Sequence, residues 1–224
     1  MSESTAGPSE PKPVDVADEP FALSGSEAGD DDAKPQGPVS RTRLIVLGVL
    51  LVLGLAGAAV IGWTAWRITS QKDATLTVPP QVAGLKLDES ANAQTTAEYL
   101  TNAIAADVDL DETVGAVYTD PAAANRSVLF FGGTTLIWTP GSDLDTAFEL
   151  ISDEEGAVTG LHEVPTGDLG GTMKCGTTAS GDGNMAVCGW ADHGSLALAM
   201  FPNRSEADSA ALLREIRAEA QTRE

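Results

Sequence analysis

The sequence predicts an α+β fold: an antiparallel sheet with helices packed on one face, preceded by one transmembrane helix and a disordered N-terminal tail. An uncharged apolar run over residues 44–66 predicts the membrane span. Apolar residues recur at helical spacing after Ser90 and after Ser205, and short β-rich runs joined by turns lie between them. Strands interspersed with helices and joined mostly by hairpins are typical of α+β domains.

Charge and composition exclude several classes of function. The 224 residues include 33 Asp and Glu against 13 Lys and Arg, and the net charge is −20. Such acidity argues against a nucleic-acid partner, because phosphate binding requires Lys and Arg. Two His and two Cys leave little for a zinc or iron–sulfur site, and we expect no cofactor.

Residues 1–43 are predicted to be a disordered tail. Residues 1–40 contain six Pro, an Asp30–Asp32 run and few large apolar side chains. This composition offers too little burial to offset the entropy of ordering. A docking segment around Phe21 is the alternative.

Residues 44–66 are predicted to be a transmembrane helix. Their 23 residues carry no charge and would span about 30 Å of hydrocarbon as a helix. The flanking residues fit the two interfaces, with basic and aromatic side chains at Arg41, Arg43, Trp63, Trp66 and Arg67. A cleaved signal peptide fits poorly, because the run is too long and begins too far into the chain.

Small residues share one face of this helix. Gly54, Ala58 and Gly62 recur every four residues, a spacing that allows two helices to approach closely. The segment therefore offers a surface for a homodimer. The alternative is that Gly and Ala are simply common in membrane helices, and both interpretations stay open.

The predicted linker covers residues 67–89, and the folded outer domain covers residues 90–224. Helices are expected over 90–106, 143–151 and 206–221, capped by Ser90, Ser142 and Ser205. Strands are expected over 113–119, 127–132, 157–164, 172–179, 184–191 and 195–201, the last three as a meander.

The two cysteines indicate both a disulfide and a compartment. If Gly181 and Asp182 form a two-residue hairpin loop, Cys175 faces Cys188 at a distance suited to a disulfide. Disulfides persist outside the cytoplasm. We therefore expect a cytoplasmic N-terminus and an extracytoplasmic C-terminal domain. Two small buried thiols are the alternative.

Residues 192–195 place Asp, His and Ser side by side. As a catalytic site, His193 would be the base and Ser195 the nucleophile, oriented by Asp192. The segment separates two β-rich runs, and Gly194 suits a left-handed turn position, so a hairpin turn is favoured.

A weak calcium candidate follows the first helix of the domain. Asp107, Asp109 and Asp111 alternate as calcium ligands often do. The sixth and twelfth positions of an EF-hand loop are Glu112 and Tyr118 instead of Gly and Glu, so that motif fails. A solvated acidic loop is the alternative, and we predict no defined metal site.

One stretch resembles a known group of sequences. It runs through Gly170-Gly171, Cys175-Gly176 and Cys188-Gly-Trp-Ala-Asp-His-Gly194, and continues to Asn203-Arg204-Ser205. The chain resembles uncharacterised actinobacterial single-pass membrane proteins with a C-terminal extracytoplasmic "GG…CG…CxWADHG" domain. The resemblance implies a bacterial cell-envelope location and suggests Trp190, Asp192 and His193 as a candidate binding cluster.

Together these observations predict a membrane-anchored extracytoplasmic binding or assembly module of the bacterial cell envelope, without a catalytic activity. Its expected partners are the lipid bilayer and an envelope protein. The alternatives are an envelope hydrolase that uses Asp192, His193 and Ser195, and a transmembrane sensor relay.

Overall fold

The computed structural model describes residues 41–152, 156–180 and 183–223, with only the backbone given at 107, 180 and 183. Residues 1–40 of the disordered tail predicted over 1–43 lie outside the described residues, as do residues 181 and 182 of the predicted hairpin loop. Residues 41–43, predicted to belong to the tail, are helical instead. The chain divides at Val49 and Leu50 into two units. The described residues of the first unit are helical, and the second contains the rest of that helix and the folded domain.

Among the described residues, one helix is long and apolar enough to span a membrane, as predicted. Helix α1 covers Arg41–Gln71, which is 31 residues or about 46 Å. Its apolar side chains are exposed throughout the central part. On the predicted pairing face, a Cβ atom added at Gly54 or at Gly62 would meet nothing within 4 Å.

The folded domain has the predicted α+β composition with an antiparallel sheet. Its strands are β1 (Ala74–Leu76), β2 (Gln81–Val82), β3 (Leu85–Leu87), β4 (Glu112–Thr119), β5 (Val128–Thr134), β6 (Thr159–Glu163), β7 (Thr172–Ser180), β8 (Gly183–Ala191), β9 (Ser195–Phe201) and β10 (Gln221–Arg223). Its helices are α2 (Ala91–Asp107), α3 (Pro140–Leu150) and α4 (Glu206–Ala220).

Eight strands form one sheet in the order β2-β3-β4-β5-β9-β8-β7-β6, and β1 pairs with β10 in a second, two-stranded sheet. All the pairs are antiparallel, and β7, β8 and β9 form the predicted meander. The segment predicted as a linker thus supplies the last turn of α1 and three short strands. The folded part begins at Ala74, earlier than the predicted residue 90.

Helices lie on both faces of the sheet, so the prediction that they cover one face is not confirmed. Successive side chains of a strand point to opposite faces. Phe130 of β5 packs in one core cluster with Leu213 and Ile216 of α4. Phe131, the next residue, packs in the other cluster with Ile104 of α2, and with Leu144 and Phe148 of α3. Both faces of the central strands are therefore buried.

Two of the three predicted helix caps are confirmed. The Ser90 hydroxyl accepts a hydrogen bond from the Ala93 backbone N–H, and Ser205 accepts one from Asp208. Helix α3 starts earlier than predicted, with Thr139 at its N-cap instead of Ser142. Pro140 explains the difference, because its fixed φ and missing N–H suit the first helical position.

The predicted disulfide is present between β7 and β8. Cys175 pairs with Cys188 in the strand register, with their Cα atoms 4.1 Å apart. The register continues to Ser180 opposite Gly183, which agrees with a two-residue loop. Both cysteines are fully buried.

Replacement of both cysteines, Cys175→Ala with Cys188→Ala, is expected to lower the free energy of unfolding. Loss of a cross-link over a loop of this size costs about 3 kcal/mol in the chain-entropy model. Urea denaturation of the full chain in detergent, followed by circular dichroism, measures the change. Reduced wild-type protein keeps both sulfur atoms and separates the cross-link from the packing; equal stability of the reduced and oxidised proteins would contradict the prediction.

Candidate functional site

The turn between β8 and β9 is built around the Asp192 side chain. The last strand pair is Ala191 with Leu196, so residues 192–195 form the turn. Asp192 Oδ1 accepts hydrogen bonds from the backbone N–H groups of Gly194 at 2.8 Å and Ser195 at 2.9 Å. The turn predicted from sequence is thus confirmed, and its own carboxylate fixes it.

The second carboxylate oxygen binds side chains from the C-terminal elements. Arg217 of α4, Gln221 and Arg223 of β10 each donate to Asp192 Oδ2 at 2.7 Å. The Ser195 hydroxyl also donates to this oxygen, at 3.1 Å. Asp192 is 0% exposed and Arg217 is 1% exposed. We call these residues, Asp192, Ser195, Arg217, Gln221 and Arg223, the Asp192 network.

The Arg217 side chain is satisfied on every side. Its Nε donates to Gln221 Oε1 and its Nη1 donates to the Gly170 carbonyl, both at 2.8 Å. Its guanidinium carbon lies 5.3 Å from the centre of the Trp190 ring, within the range of a cation–π interaction. Trp190 in turn stacks on Phe130 and donates its indole N–H to Ser195. The network is therefore continuous with the hydrophobic core.

Burial and charge oppose each other in this network. Burial raises the pKa of Asp192, but donors from Gln221 and Gly194 and the charges of Arg217 and Arg223 outweigh it, so its pKa lies below the usual value. Burial lowers the pKa of Arg217 to about 10, against the attraction of Asp192. Both groups are charged at neutral pH, and two arginines share one carboxylate.

His193 connects the turn to two other segments. Its ring Nδ1 lies 2.8 Å from the carbonyl oxygen of Ile137. Its backbone N–H donates to Oε1 of Gln71, the last residue of α1, at 3.3 Å. Gln71 is only 6% exposed. The end of α1 is therefore seated against the β8–β9 turn.

Gly194 is required by close packing and not, as predicted, by a left-handed backbone. Its φ is not among the positive values found for five other glycines of the described residues. A Cβ at this position would overlap the Gln71 carbonyl oxygen, and it would lie 2.9 Å from Ala74 Cβ and from the Lys72 oxygen. The absence of a side chain lets the helix end approach the turn.

The candidate binding cluster is brought together but is largely inaccessible. Trp190 and Asp192 are both 0% exposed, and His193 is half-buried. A ligand would have to open the fold to contact the first two side chains. In this structure the cluster holds elements of the protein together.

The hydrolase alternative gains no support from this geometry. The Ser195 hydroxyl is buried and is engaged with Asp192 and Trp190, while the His193 ring faces the Ile137 carbonyl. A serine nucleophile needs a hydrogen bond to its base and access to substrate.

The weak calcium candidate is also not assembled in the described part of the chain. Asp109 and Asp111 are exposed, and the Asp107 side chain lies outside the described residues. Among the residues described, no group of three His, Cys, Asp or Glu side chains could hold a metal ion.

Sequence reasoning missed four members of this site: Gln71, Arg217, Gln221 and Arg223. One signal was available for Arg217, which follows Leu213 by four residues and precedes Ala220 by three. Apolar residues at this spacing share one face of a helix, so Arg217 lies on the apolar face, where a charge requires a partner. Gln71 and the C-terminal strand carried no comparable local signal.

Comparison with known proteins provides no assignment: no family model, no curated protein and no solved structure matches this chain.

Asp192→Asn is expected to destabilise the protein strongly. The change keeps the shape but removes the charge that Arg217 and Arg223 share, and breaking a buried ion pair costs about 3–5 kcal/mol. Asp73→Asn is the matched control, because Asp73 pairs with Lys72 on the surface, where an ion pair contributes less than about 1 kcal/mol. Denaturant unfolding in detergent at neutral pH measures both changes.

The stability gap between wild type and Asp192→Asn should also depend on pH. Because the pKa of Asp192 is depressed in the fold, its stabilisation is complete above the unfolded pKa, about 3.9, and is lost as pH falls through the folded value. The gap should therefore narrow in acid. A gap that stays constant from pH 7 to pH 2 would contradict the assigned role of the carboxylate.

Gly194→Ala is expected to displace the end of α1 from the turn. Limited proteolysis with trypsin should then cut faster after Lys72 than in wild type, because the junction is no longer packed. Gly141→Ala is the control, since its added Cβ would meet only Thr172 Oγ1 at 4.0 Å. Equal cleavage rates in the two variants would argue against a packed junction.

Proposed function

We propose that the chain is a single-pass membrane protein whose folded domain lies outside the cytoplasm and binds or assembles a component of the bacterial cell envelope. The apolar length of α1 supports the span. The disulfide between Cys175 and Cys188 supports an oxidising compartment for the domain. The resemblance to actinobacterial single-pass proteins supports the envelope location.

The observation that carries this proposal is the junction between α1 and the domain. Gln71 is buried and hydrogen-bonded to the β8–β9 turn, and β1 begins at Ala74, two residues beyond Lys72. Strand β1 pairs with β10, whose Gln221 and Arg223 belong to the Asp192 network. The domain is thereby held at the membrane in one orientation, which suits a module that presents a fixed surface to a partner.

A sensor relay is the second candidate, and the same junction favours it. A ligand that moved the β8–β9 turn would move the Gln71 side chain, and the displacement would reach the apolar helix without a flexible linker. In that case the N-terminal tail would carry the output. A relay depends on residues 1–40, whereas a binding or assembly module retains its partner without them.

A cross-linking experiment in native membranes tests the proposal. Full-length protein is compared with a chain lacking residues 73–224, with Gly194→Ala and with the control Gly141→Ala. A partner that needs the folded domain should be captured by the full chain and by Gly141→Ala, and should not be captured by the chain that lacks residues 73–224. The amount captured by Gly194→Ala should be lower, because the orientation of the domain is lost.

The absence of any specific partner in the full-length sample would contradict a binding or assembly role. Capture that survives removal of residues 73–224 would assign binding to the helix or the tail instead. A partner retained without residues 1–40, together with an unchanged phenotype, would argue against the relay.

A further inference from the structure

The loop between β5 and α3 exposes two large apolar side chains. Leu136 is 45% exposed and Trp138 is 67% exposed, whereas Ile137 between them is 4% exposed. The loop residues 135–139 carry no charge. The buried Ile137 anchors the loop and directs its two neighbours outward, so the exposure is built into the packing.

This loop is fixed directly to the end of α1. The backbone N–H of Thr135 donates to the Gly194 carbonyl at 3.3 Å, and that of Ile137 donates to the His193 carbonyl at 3.1 Å. Both of these turn residues also lie against Gln71. Leu136 also lines a surface cleft of about 570 Å³ with Lys72 and Asp73, the residues that follow α1.

The position along the helix matches the level of the lipid headgroups. Trp66 marks the end of the apolar run, and Lys72 follows six residues later, about 9 Å along a helix. The headgroup layer on each side of a bilayer is about 5–8 Å thick. A loop beside Lys72 therefore lies just outside that layer, close enough for a Trp side chain to reach the headgroup level, where Trp is enriched.

Acidic side chains set which lipids this loop can meet. Asp109 and Asp143 line the cleft of about 360 Å³ beside Trp138, and Asp73, Asp111 and Glu112 line the cleft beside Leu136. In the part of the chain that the structure describes, Lys72 is the one basic residue lining these two clefts. Anionic headgroups would be repelled, so the attraction is apolar and is directed to zwitterionic lipids.

We propose that Leu136 and Trp138 insert into the headgroup layer of the bilayer beside α1 and form a second contact between the domain and the membrane. With α1 as the first contact, this one prevents rotation and tilting of the domain. The inference rests on the membrane span proposed above, and the bilayer is the single occupant assigned to this surface.

Spin labelling of the full chain in phosphatidylcholine vesicles tests the insertion. Both native cysteines are joined in a disulfide, so a single introduced cysteine is labelled selectively. The variants are Leu136→Cys, Trp138→Cys, the control Tyr99→Cys and the reference Val60→Cys. Tyr99 is 73% exposed on α2 and lines neither cleft, and Val60 is central in the apolar helix.

The readout compares collisions of each label with oxygen, which concentrates in lipid, and with a water-soluble nickel chelate. Labels at 136 and 138 should show a severalfold higher ratio of oxygen to nickel collisions than the label at 99. Leu136→Cys keeps Trp138 in place and therefore reports on the loop with its aromatic side chain present.

Each other outcome overturns the inference in a recognisable way. If the labels at 136 and 138 were as accessible to nickel as the label at 99, while the label at 60 was exposed to lipid, the loop would lie in water and the proposed span would still hold. Protection of 136 and 138 from both reagents would indicate a protein cover, such as a second copy. Nickel accessibility at 60 would refute the proposed span itself.

Discussion

The buried carboxylate of Asp192 is the constraint on which the rest of the domain depends. An ionised carboxylate in a protein interior requires charged or hydrogen-bonding partners, because its desolvation is otherwise too costly. Here the partners come from the β8–β9 turn, from α4 and from β10. These elements cannot shift independently without leaving the carboxylate or an arginine unpaired. The network therefore selects one arrangement of the C-terminal part of the fold.

The same four-residue turn serves two purposes on two sides. Its side-chain oxygens bind the C-terminal arginines, while the backbone of His193 and Gly194 receives the end of α1 and the β5–α3 loop. The pairing of β1 with β10 adds a further connection between α1 and the network. Ala74 of β1 is paired with Arg223 of β10, and the Arg223 side chain donates to Asp192. The attachment of α1 to the domain thus depends on the same turn that holds the Asp192 network together.

Local rules account for what the sequence could predict. The register of Cys175 with Cys188 follows from counting outward from a two-residue loop, and the caps at Ser90 and Ser205 follow from side-chain hydrogen bonding at helix starts. The turn at residues 192–195 was predicted from its place between two β-rich runs, whereas the left-handed backbone expected at Gly194 is not found. The partners of Asp192 were not predicted, because Arg217 and Arg223 lie 25 and 31 residues away and reach it only through the packing of α4 and β10.

Two features of the fold were missed for different physical reasons. Helices on both faces were signalled by β5 and β9, whose sequences are apolar at consecutive positions, as in strands buried on both sides. The strands β1, β2 and β3 have two or three residues each and give too short a pattern to detect. Their pairing with β10 and β4 depends on distant chain segments.

Because the junction between α1 and the domain is rigid, pairing of two helices through their small-residue faces would also fix how the two domains face each other. A flexible linker would remove this effect. If two helices packed through Gly54, Ala58 and Gly62, the paired segment would end nine residues before Gln71, about 14 Å along the helix. Because Gln71 is seated in the domain, the crossing angle of the helices would dictate which domain surfaces face each other. Loss of the Asp192 network would leave the helices paired but would release the domains from that geometry. Such pairing of helices would therefore be coupled to the stability of the folded domain through one buried carboxylate.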